Sequence, residues 1–541
     1  MKTWVRWTLG MVAFFAVLIT ALWWEENWRG RKIWEEAEAR VRAAGGPVEL
    51  KDIVPPPVLD ARNVAKAPIF EEAFVHKESS RLFKYMGALS GTNARNAAGQ
   101  RVRRPPTKPL AREDMSQMEE YRDFLRACLP KEAPPTPMPA ADEILHYLKR
   151  WDGELREMKE ALDRPECRWP FDFERGVFME NPMLAVPASL CFNATPLLLA
   201  HAAKGDAAAF TETLITHLRV IRATSINGPH LLGLIAESNG DALLLQSLQH
   251  FMPVVPFEEA QLAALQNQIA QITLDNAAQA VRQERVVDTD SLRRVSREQV
   301  RFMYQGRKVL PFDHVPEKVQ DAARNLWITS ISCRPEGWKI ADAAVYMRFV
   351  FEQVEPCVDL TSGTILRTRV AAMERAGESL RQMPGQHLML RGMVSAFGSV
   401  LLSAAKHQAM ASEALLWCAI ERFRLKHDHV PDKLEELVPE FVDKLPCDPV
   451  NGLPLRYVRQ GERDYLLYSI GWNEKDDGGV GAQKREGDWT WASDPRLIKN
   501  PYDEKRLADL KAQEERERNQ AASKKAKLAS KKTPPPSAPP K

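Results

Sequence analysis

The sequence predicts a mainly α-helical protein with one N-terminal membrane helix and a small C-terminal α+β module. An uncharged apolar run stands near the start, apolar residues recur at helical spacing through the middle, and two aromatic-rich runs lie near the end. A chain of 541 residues is long enough for two or three structural units. We divide it into a membrane signal-anchor, a juxtamembrane helix with a proline-rich irregular region, a helical body, a long helix with the α+β module, and a charged helix with a disordered Lys/Pro tail: 1–27, 28–140, 141–386, 387–498 and 499–541.

The predicted anchor is the uncharged run 7–24, whose length is near the minimum of roughly 17 to 20 residues that spans a bilayer. No small-residue cleavage site precedes the acidic pair Glu25-Glu26, which favours an uncleaved anchor over a signal peptide. Lys2 and Arg6 precede the run and favour a cytoplasmic N-terminus, although basic residues at 29, 31 and 32 follow it. We therefore expect a single-pass inner-membrane protein with its bulk in the periplasm.

The body is predicted to consist of antiparallel helices joined by short turns. Phe210, Leu214, Leu218 and Ile221, for example, fall on one face of a helix. The segment 282–301 is rich in charge and is predicted to be a surface helix. A tetratricopeptide-like solenoid is a minor alternative, because no fixed repeat period is found.

The last module is predicted to be a helix followed by a hairpin. Leu416, Ala419, Ile420 and Phe423 share one helical face. Two runs of aliphatic and aromatic residues, 455–458 and 465–470, are separated by a short polar link, which is typical of an antiparallel hairpin.

This module resembles the C-terminal half of the major (G-type) pseudopilin of type II secretion systems. The resemblance rests on a dense series of residues, namely His427, Val430-Pro431, Leu434, Leu437-Val438-Pro439, Leu445-Pro446, Asp448-Pro449, Gly452, Pro454-Leu455, Tyr457 and Leu467-Tyr468-Ser469-Ile470-Gly471. It implies a long helix packed on a small antiparallel sheet, and a calcium-binding loop after the last strand.

The chain departs from that family in one important way. A pseudopilin has its membrane helix directly before this module, whereas here nearly four hundred residues lie between them, and the start of the chain has no prepilin cleavage signature. The whole chain is more similar to uncharacterised membrane-anchored bacterial proteins that combine a helical body with the same C-terminal ending. The stretches Pro55-Pro56-Pro57, Asn63-Val64-Ala65 and Pro335-Glu336-Gly337-Trp338 also fit that group.

The acidic loop 473–479 is the one candidate ion site. Calcium needs six to eight oxygen ligands, and clustered carboxylates in a glycine-rich loop can supply several of them. The pseudopilin resemblance implies Asp476, Asp477 and Asp488 as the side-chain donors. The same residue types are also typical of a solvated turn, and this alternative stays open.

No catalytic motif stands out in the sequence. A Gly-x-Ser-x-Gly elbow, a phosphate-binding glycine-rich loop with lysine and a His-Glu-x-x-His helix are all missing, and the seven cysteines form no Cys-x-x-Cys pair. We therefore expect a non-enzymatic structural or interaction role at the cell envelope, with the membrane and envelope proteins as partners and no nucleic acid. The alternatives are an envelope hydrolase whose site is assembled only by the fold, and a pseudopilin-like secretion component.

Overall fold

The structure is a computed structural model, and it describes residues 3–89, 102–108, 116–225, 231–296, 298–299, 316–332, 335–382, 394, 397–481 and 486–498. The charged helix and tail predicted for 499–541 lie outside the described residues, as does most of the predicted start of the long helix near 387.

The described chain is mainly helical, as predicted. Its α-helices in chain order are α1 (Thr3–Ala43), α2 (Leu50–Ile53), α3 (Pro68–His76), α4 (Arg81–Leu89), α5 (Ser116–Cys128), α6 (Ala140–Leu148), α7 (Asp152–Ala161), α8 (Val186–Lys204), α9 (Ala207–Ser225), α10 (Leu231–Phe251), α11 (Glu259–Ile269), α12 (Asp275–Arg294), α13 (Glu317–Ser332), α14 (Glu336–Phe349), α15 (Arg367–Arg381) and α16 (Phe397–His427).

Strands form two small antiparallel sheets. A minimal pair joins β1 (Val358–Asp359) to β2 (Thr364–Ile365). The C-terminal sheet has the order β3 (Arg456–Arg459), β4 (Tyr465–Ser469) and β5 (Trp489–Ala492). Tyr457 lies opposite Leu467, which confirms the predicted hairpin, and Leu467 lies opposite Trp491 on the third strand.

Two apolar cores hold these elements together. One joins the helices from α3 to α11 to the second half of α16 and to the C-terminal sheet. The other joins the second half of α1 to α12, α14, α15 and the first half of α16. The long helix α16 therefore runs through both cores and connects the sheet to the helices around α1.

Two of the described helical segments are long and apolar enough to cross a membrane, and burial separates them. The segment Pro182–Lys204, which includes α8, has a mean hydropathy of 1.6 in its most apolar window, and 72% of that window is buried in the body. The corresponding window of Trp7–Ala43 in α1 has a value of 1.8 and is 0% buried. The first is a core helix, whereas the second presents its apolar residues to the surroundings.

The prediction of a surface helix over 282–301 is wrong for α12. Arg285 is fully buried, and its guanidinium pairs with Glu355 and donates to the carbonyl oxygen of Pro47 at 2.7 Å. Asp288 is also buried and accepts a hydrogen bond from the Tyr346 hydroxyl. A buried charge is tolerated when a partner and hydrogen bonds compensate it, and these partners lie far away in sequence.

Candidate functional site

The junction between the N-terminal apolar helix and the body is built by α1 and α14, which run side by side in the same direction. Near the start of α14, the Gly337 backbone N–H donates to the side-chain oxygen of Asn27 at 2.7 Å. In the turn after α14, Glu352 pairs with Arg40 of α1 at 2.8 Å. Each helix advances thirteen to fifteen residues between these contacts, so the contact is parallel and extends for about 20 Å.

The two helices touch backbone to backbone at a pair of glycines. A Cβ atom added to Gly30 would lie 2.1 Å from the carbonyl oxygen of Gly337, and one added to Gly337 would lie 2.1 Å from the carbonyl oxygen of Glu26. Real Cβ atoms do not approach oxygen so closely, so only glycine permits this separation. The Trp338 indole N–H donates to the Glu26 carboxylate at 2.9 Å beside this contact.

The C-terminal half of α1 is fixed by α12. Arg285 binds the carbonyl of Pro47 just beyond the end of α1, and the Arg293 guanidinium lies 4.1 Å from the ring centroid of Trp34. Along α12 the chain passes from Arg285, beside Pro47, to Arg293, beside the earlier residue Trp34. Helix α12 therefore runs antiparallel to α1. Helix α1 is therefore held along the whole of its second half, while its first half is exposed.

The predicted calcium donors all lie in the loop between β4 and β5. Asp488 is fully buried, and its two oxygens accept the backbone N–H groups of Gly479 at 2.7 Å and Asp477 at 3.3 Å. Asp476 accepts from the Tyr468 hydroxyl at 3.1 Å, and Asp477 accepts from the side-chain amide of Asn473 at 2.9 Å.

In this conformation the acidic side chains organise the turn itself. Within the described residues, no group of three or more His, Cys, Asp or Glu side chains is arranged to hold a metal ion. The pKa of Asp488 is raised to about 6, mainly by burial. The two N–H donors oppose this shift, and the nearby charges of Asp477 and Asp476 add to it. The loop has oxygen atoms that suit calcium, and the calcium site stays a prediction.

Beneath the loop, a serine joins two buried carboxylates. The Ser469 backbone N–H donates to Glu413 at 3.2 Å, and its hydroxyl donates to Asp448 at 2.9 Å. Asp448 also accepts the N–H groups of Val450 and Ile470. Burial raises the pKa of Asp448, and these donors partly offset the shift; burial likewise holds the pKa of Glu413 well above its usual range.

These contacts give the residues of the pseudopilin-like motif a physical role. Asp448 ties the loop before β3 to the end of β4, where Gly471 begins the acidic loop at φ +65°. A Cβ at Gly471 would lie 2.2 Å from the carbonyl oxygen of Gly487, so a glycine is required there. The cluster fixes the start of the acidic loop, and the close approach of Gly471 to Gly487 brings the other end of the loop beside it.

A second acidic cluster lies in the body, and the sequence analysis missed it. Glu237 and Asp241 are one turn apart on α10, and Asp241 lies 3.2 Å from the Nε2 atom of His407 on α16. Glu237 accepts from the Asn276 side chain at 2.9 Å. Burial raises the pKa of Glu237 to about 7, and the charge of Asp241 adds to the shift. The signal in the sequence is the presence of two acidic residues within a helix that has no Lys or Arg.

No protein-family model matches the chain, and the searches of curated proteins and of solved structures found no match to it.

Proposed function

We propose that the chain is a single-pass inner-membrane protein whose periplasmic body acts by binding envelope partners, without catalysis of its own. The observation that carries this proposal is the continuity of α1, which passes from an exposed apolar half into a half held by α12 and α14. A flexible linker would only tether the body. A continuous helix packed on both sides sets the height and tilt of the body above the bilayer, as a positioned binding protein requires.

The orientation rests on charge. Lys2 and Arg6 flank the cytoplasmic end of the proposed span, and Glu25 and Glu26 flank the other end. The Glu26 carboxylate also accepts from Trp338, which places an indole near the level at which the helix leaves the bilayer. Tryptophan is common at that level of membrane proteins.

We further propose that residues 397–498 form a pseudopilin-like module that supplies the partner-binding surface. Helix α16 packs on a three-stranded antiparallel sheet, and an acidic loop follows β4, as the sequence resemblance implies. Strand β3 is the outer strand of the order β3-β4-β5, and Val458 on it is 42% exposed. A free strand edge is a common site for binding another chain. A role as a type II secretion component is the narrower form of this proposal.

A hydrolase is the second candidate, and one observation favours it. Glu237, Asp241 and His407 converge from two helices, as the alternative of a site assembled by the fold requires. Yet Glu237 is only 8% exposed and Asp241 only 3%. Two cavities, of about 380 and 350 Å³, have linings that include none of the three. A buried acid pair that lines neither cavity supports a structural role better than a catalytic one.

Membrane extraction and protease treatment together test the anchor and its orientation. Wild-type protein should resist carbonate extraction, and protease added to spheroplasts should digest the body without lysis. Leu18→Lys should weaken membrane retention, because a lysine at the centre of a span costs about 3 kcal/mol. Leu59→Lys is the matched control, since Leu59 is 74% exposed outside the anchor. Digestion of the body only after lysis would refute the proposed orientation.

Site-specific photo-crosslinking tests the binding role. A photoreactive amino acid at Val458 should give a discrete adduct in intact cells, whereas the same group at Leu59 should not. Any hydrolysis measured with the purified protein should be the same in the wild type and in Glu237→Gln. If no adducts form and a hydrolytic activity depends on Glu237, the hydrolase replaces the binding protein as the proposed function.

A further inference from the structure

The segment between α12 and α14 leaves and re-enters the body at the end that faces the proposed membrane. Helix α14 begins beside Glu26 and Asn27, only two residues beyond the apolar run of α1. The end of α12 lies nearby, because the carbonyl oxygen of Val295 accepts from the Lys339 ammonium at 3.3 Å. The excursion that contains α13 is therefore tied at both ends close to the bilayer.

Helix α13 exposes apolar side chains along one face. Val319 and Leu326 are seven residues apart on one face and are 49% and 74% exposed, and the exposed Ala322 lies between them. On the other side, Gln320 is only 5% exposed and the Arg324 side chain only 17%. An exposed apolar face beside the proposed membrane suits a non-aqueous environment on that side.

The charges of α13 restrict what that environment is. Glu317 and Asp321 balance Lys318 and Arg324, and Arg324 pairs with Asp321 at 2.6 Å. A helix without net charge gains little from anionic headgroups, so its attraction to a membrane is that of its apolar face for the boundary of the acyl chains. The segment that carries α13 joins the body at the proposed membrane end, which favours lipid over a second protein.

We propose that α13 lies on the periplasmic surface of the bilayer, with Val319, Ala322 and Leu326 in contact with lipid at the headgroup boundary. The inference rests on the proposed membrane anchor and adds a second contact to it. With the α1 span and α13 both held by lipid, the body cannot rotate about the axis of the anchor. One face of the C-terminal module then points in a fixed direction within the periplasm.

Fluorescence quenching by brominated lipids tests this arrangement in the full-length chain. A fluorescent amino acid replaces Leu326, Val17 or Ala44, one at a time, in protein reconstituted into nanodiscs. The lipids carry bromine either near the headgroup or near the end of the acyl chain. Val17 reports on the anchor, and Ala44, exposed about 30 Å beyond the apolar run along α1, is the control that should remain unquenched.

The expected result is strong quenching of the reporter at 326 by the shallow bromines and weaker quenching by the deep ones, with the reverse order at 17. Quenching at 17 with none at 326 overturns the inference and leaves the anchor intact, whereas the loss of quenching at both sites overturns both. A reporter at 326 that is shielded from water but not quenched also overturns the inference, because a protein partner or a second copy of the chain then covers the helix.

Replacing the apolar side chains provides an independent check. Val319→Ser combined with Leu326→Ser should reduce quenching of a reporter placed at Ala322 without altering quenching at Val17. Both substituted side chains are exposed, so the fold should tolerate the changes. Unchanged quenching at 322 would mean that the apolar face does not hold the helix at the bilayer.

Discussion

Gly30→Ala tests whether helix α1 and the body form one rigid unit. The added methyl group would lie 2.1 Å from the carbonyl oxygen of Gly337 and 2.7 Å from its Cα atom, and both are backbone atoms that cannot rotate away. The helices must either hold the strain or move apart. Moving apart lengthens the hydrogen bonds that Gly337 and Trp338 donate to Asn27 and Glu26.

The cost of either response can be worked out from these contacts. Overpacking a tight contact costs about 1–3 kcal/mol. Losing the two hydrogen bonds, one of them to a carboxylate, costs a total of about 2–4 kcal/mol. Alanine returns about 1 kcal/mol because it favours the helix more than glycine does. The net effect is a weakening of the junction by about 2 kcal/mol, which corresponds to roughly a thirty-fold increase in the open population.

Limited trypsin digestion of the chain in nanodiscs measures this population, because cleavage within α1 at Arg29, Arg31 or Lys32 requires local opening. The initial rate of cleavage at these sites should rise by about thirty-fold in Gly30→Ala. Gly10→Ala is the matched control, since it lies on the same helix and its Cβ would meet no atom within 4 Å. Equal cleavage rates in the two variants would refute the proposed close contact.

Two further predictions concern the acidic clusters. If Asp488 helps to hold calcium, calcium at pH 7.5 should stabilise the wild type, by about 2.7 kcal/mol at a hundred-fold excess over Kd, and should not stabilise Asp488→Asn. The effect should fade below pH 6, where a proton competes for Asp488, and a calcium-independent melting temperature would identify the loop as an ordinary turn. The raised pKa of Glu237 means that the folded state binds an extra proton between pH 4.5 and about 7, so stability falls as the pH rises through this range. Glu237→Gln should remove this loss and gain up to about 3 kcal/mol in urea unfolding at pH 8, with little change at pH 4.5; a variant as pH-dependent as the wild type would contradict the assignment.

Local patterns in the sequence predicted the elements that depend on local interactions. The apolar run predicted α1, and helical spacing predicted the helices of the body. Two runs of aliphatic and aromatic residues predicted the hairpin of β3 and β4. Strand β5 was missed because the short segment Trp489–Ala492 stands apart from the hairpin, beyond an acidic loop. A short strand becomes recognisable only when its partner is known, and here the partner is the buried strand β4.

The charged contacts that build the candidate sites could not be predicted, because their partners lie far apart in the sequence. Arg285 finds Glu355 seventy residues away, and Asp241 finds His407 more than one hundred and sixty residues away. A charge in a helix usually indicates a solvated face, so a sequence pattern assigns these residues to the surface. The tertiary fold alone supplies the partner that makes burial tolerable.

Helix α1 and the C-terminal module share one apolar core, so the packing of one bears on the packing of the other. Trp34 on α1 belongs to the same apolar core as Trp472 and Trp489, which flank the acidic loop of the C-terminal module. The first half of α16 lies in that core, and its second half supports the sheet. Interiors packed in this way transmit displacement rather than absorb it. A ligand that reshapes the acidic loop should therefore act on the core that holds α1, and a loosened contact at Gly30 should in turn weaken the response of the loop.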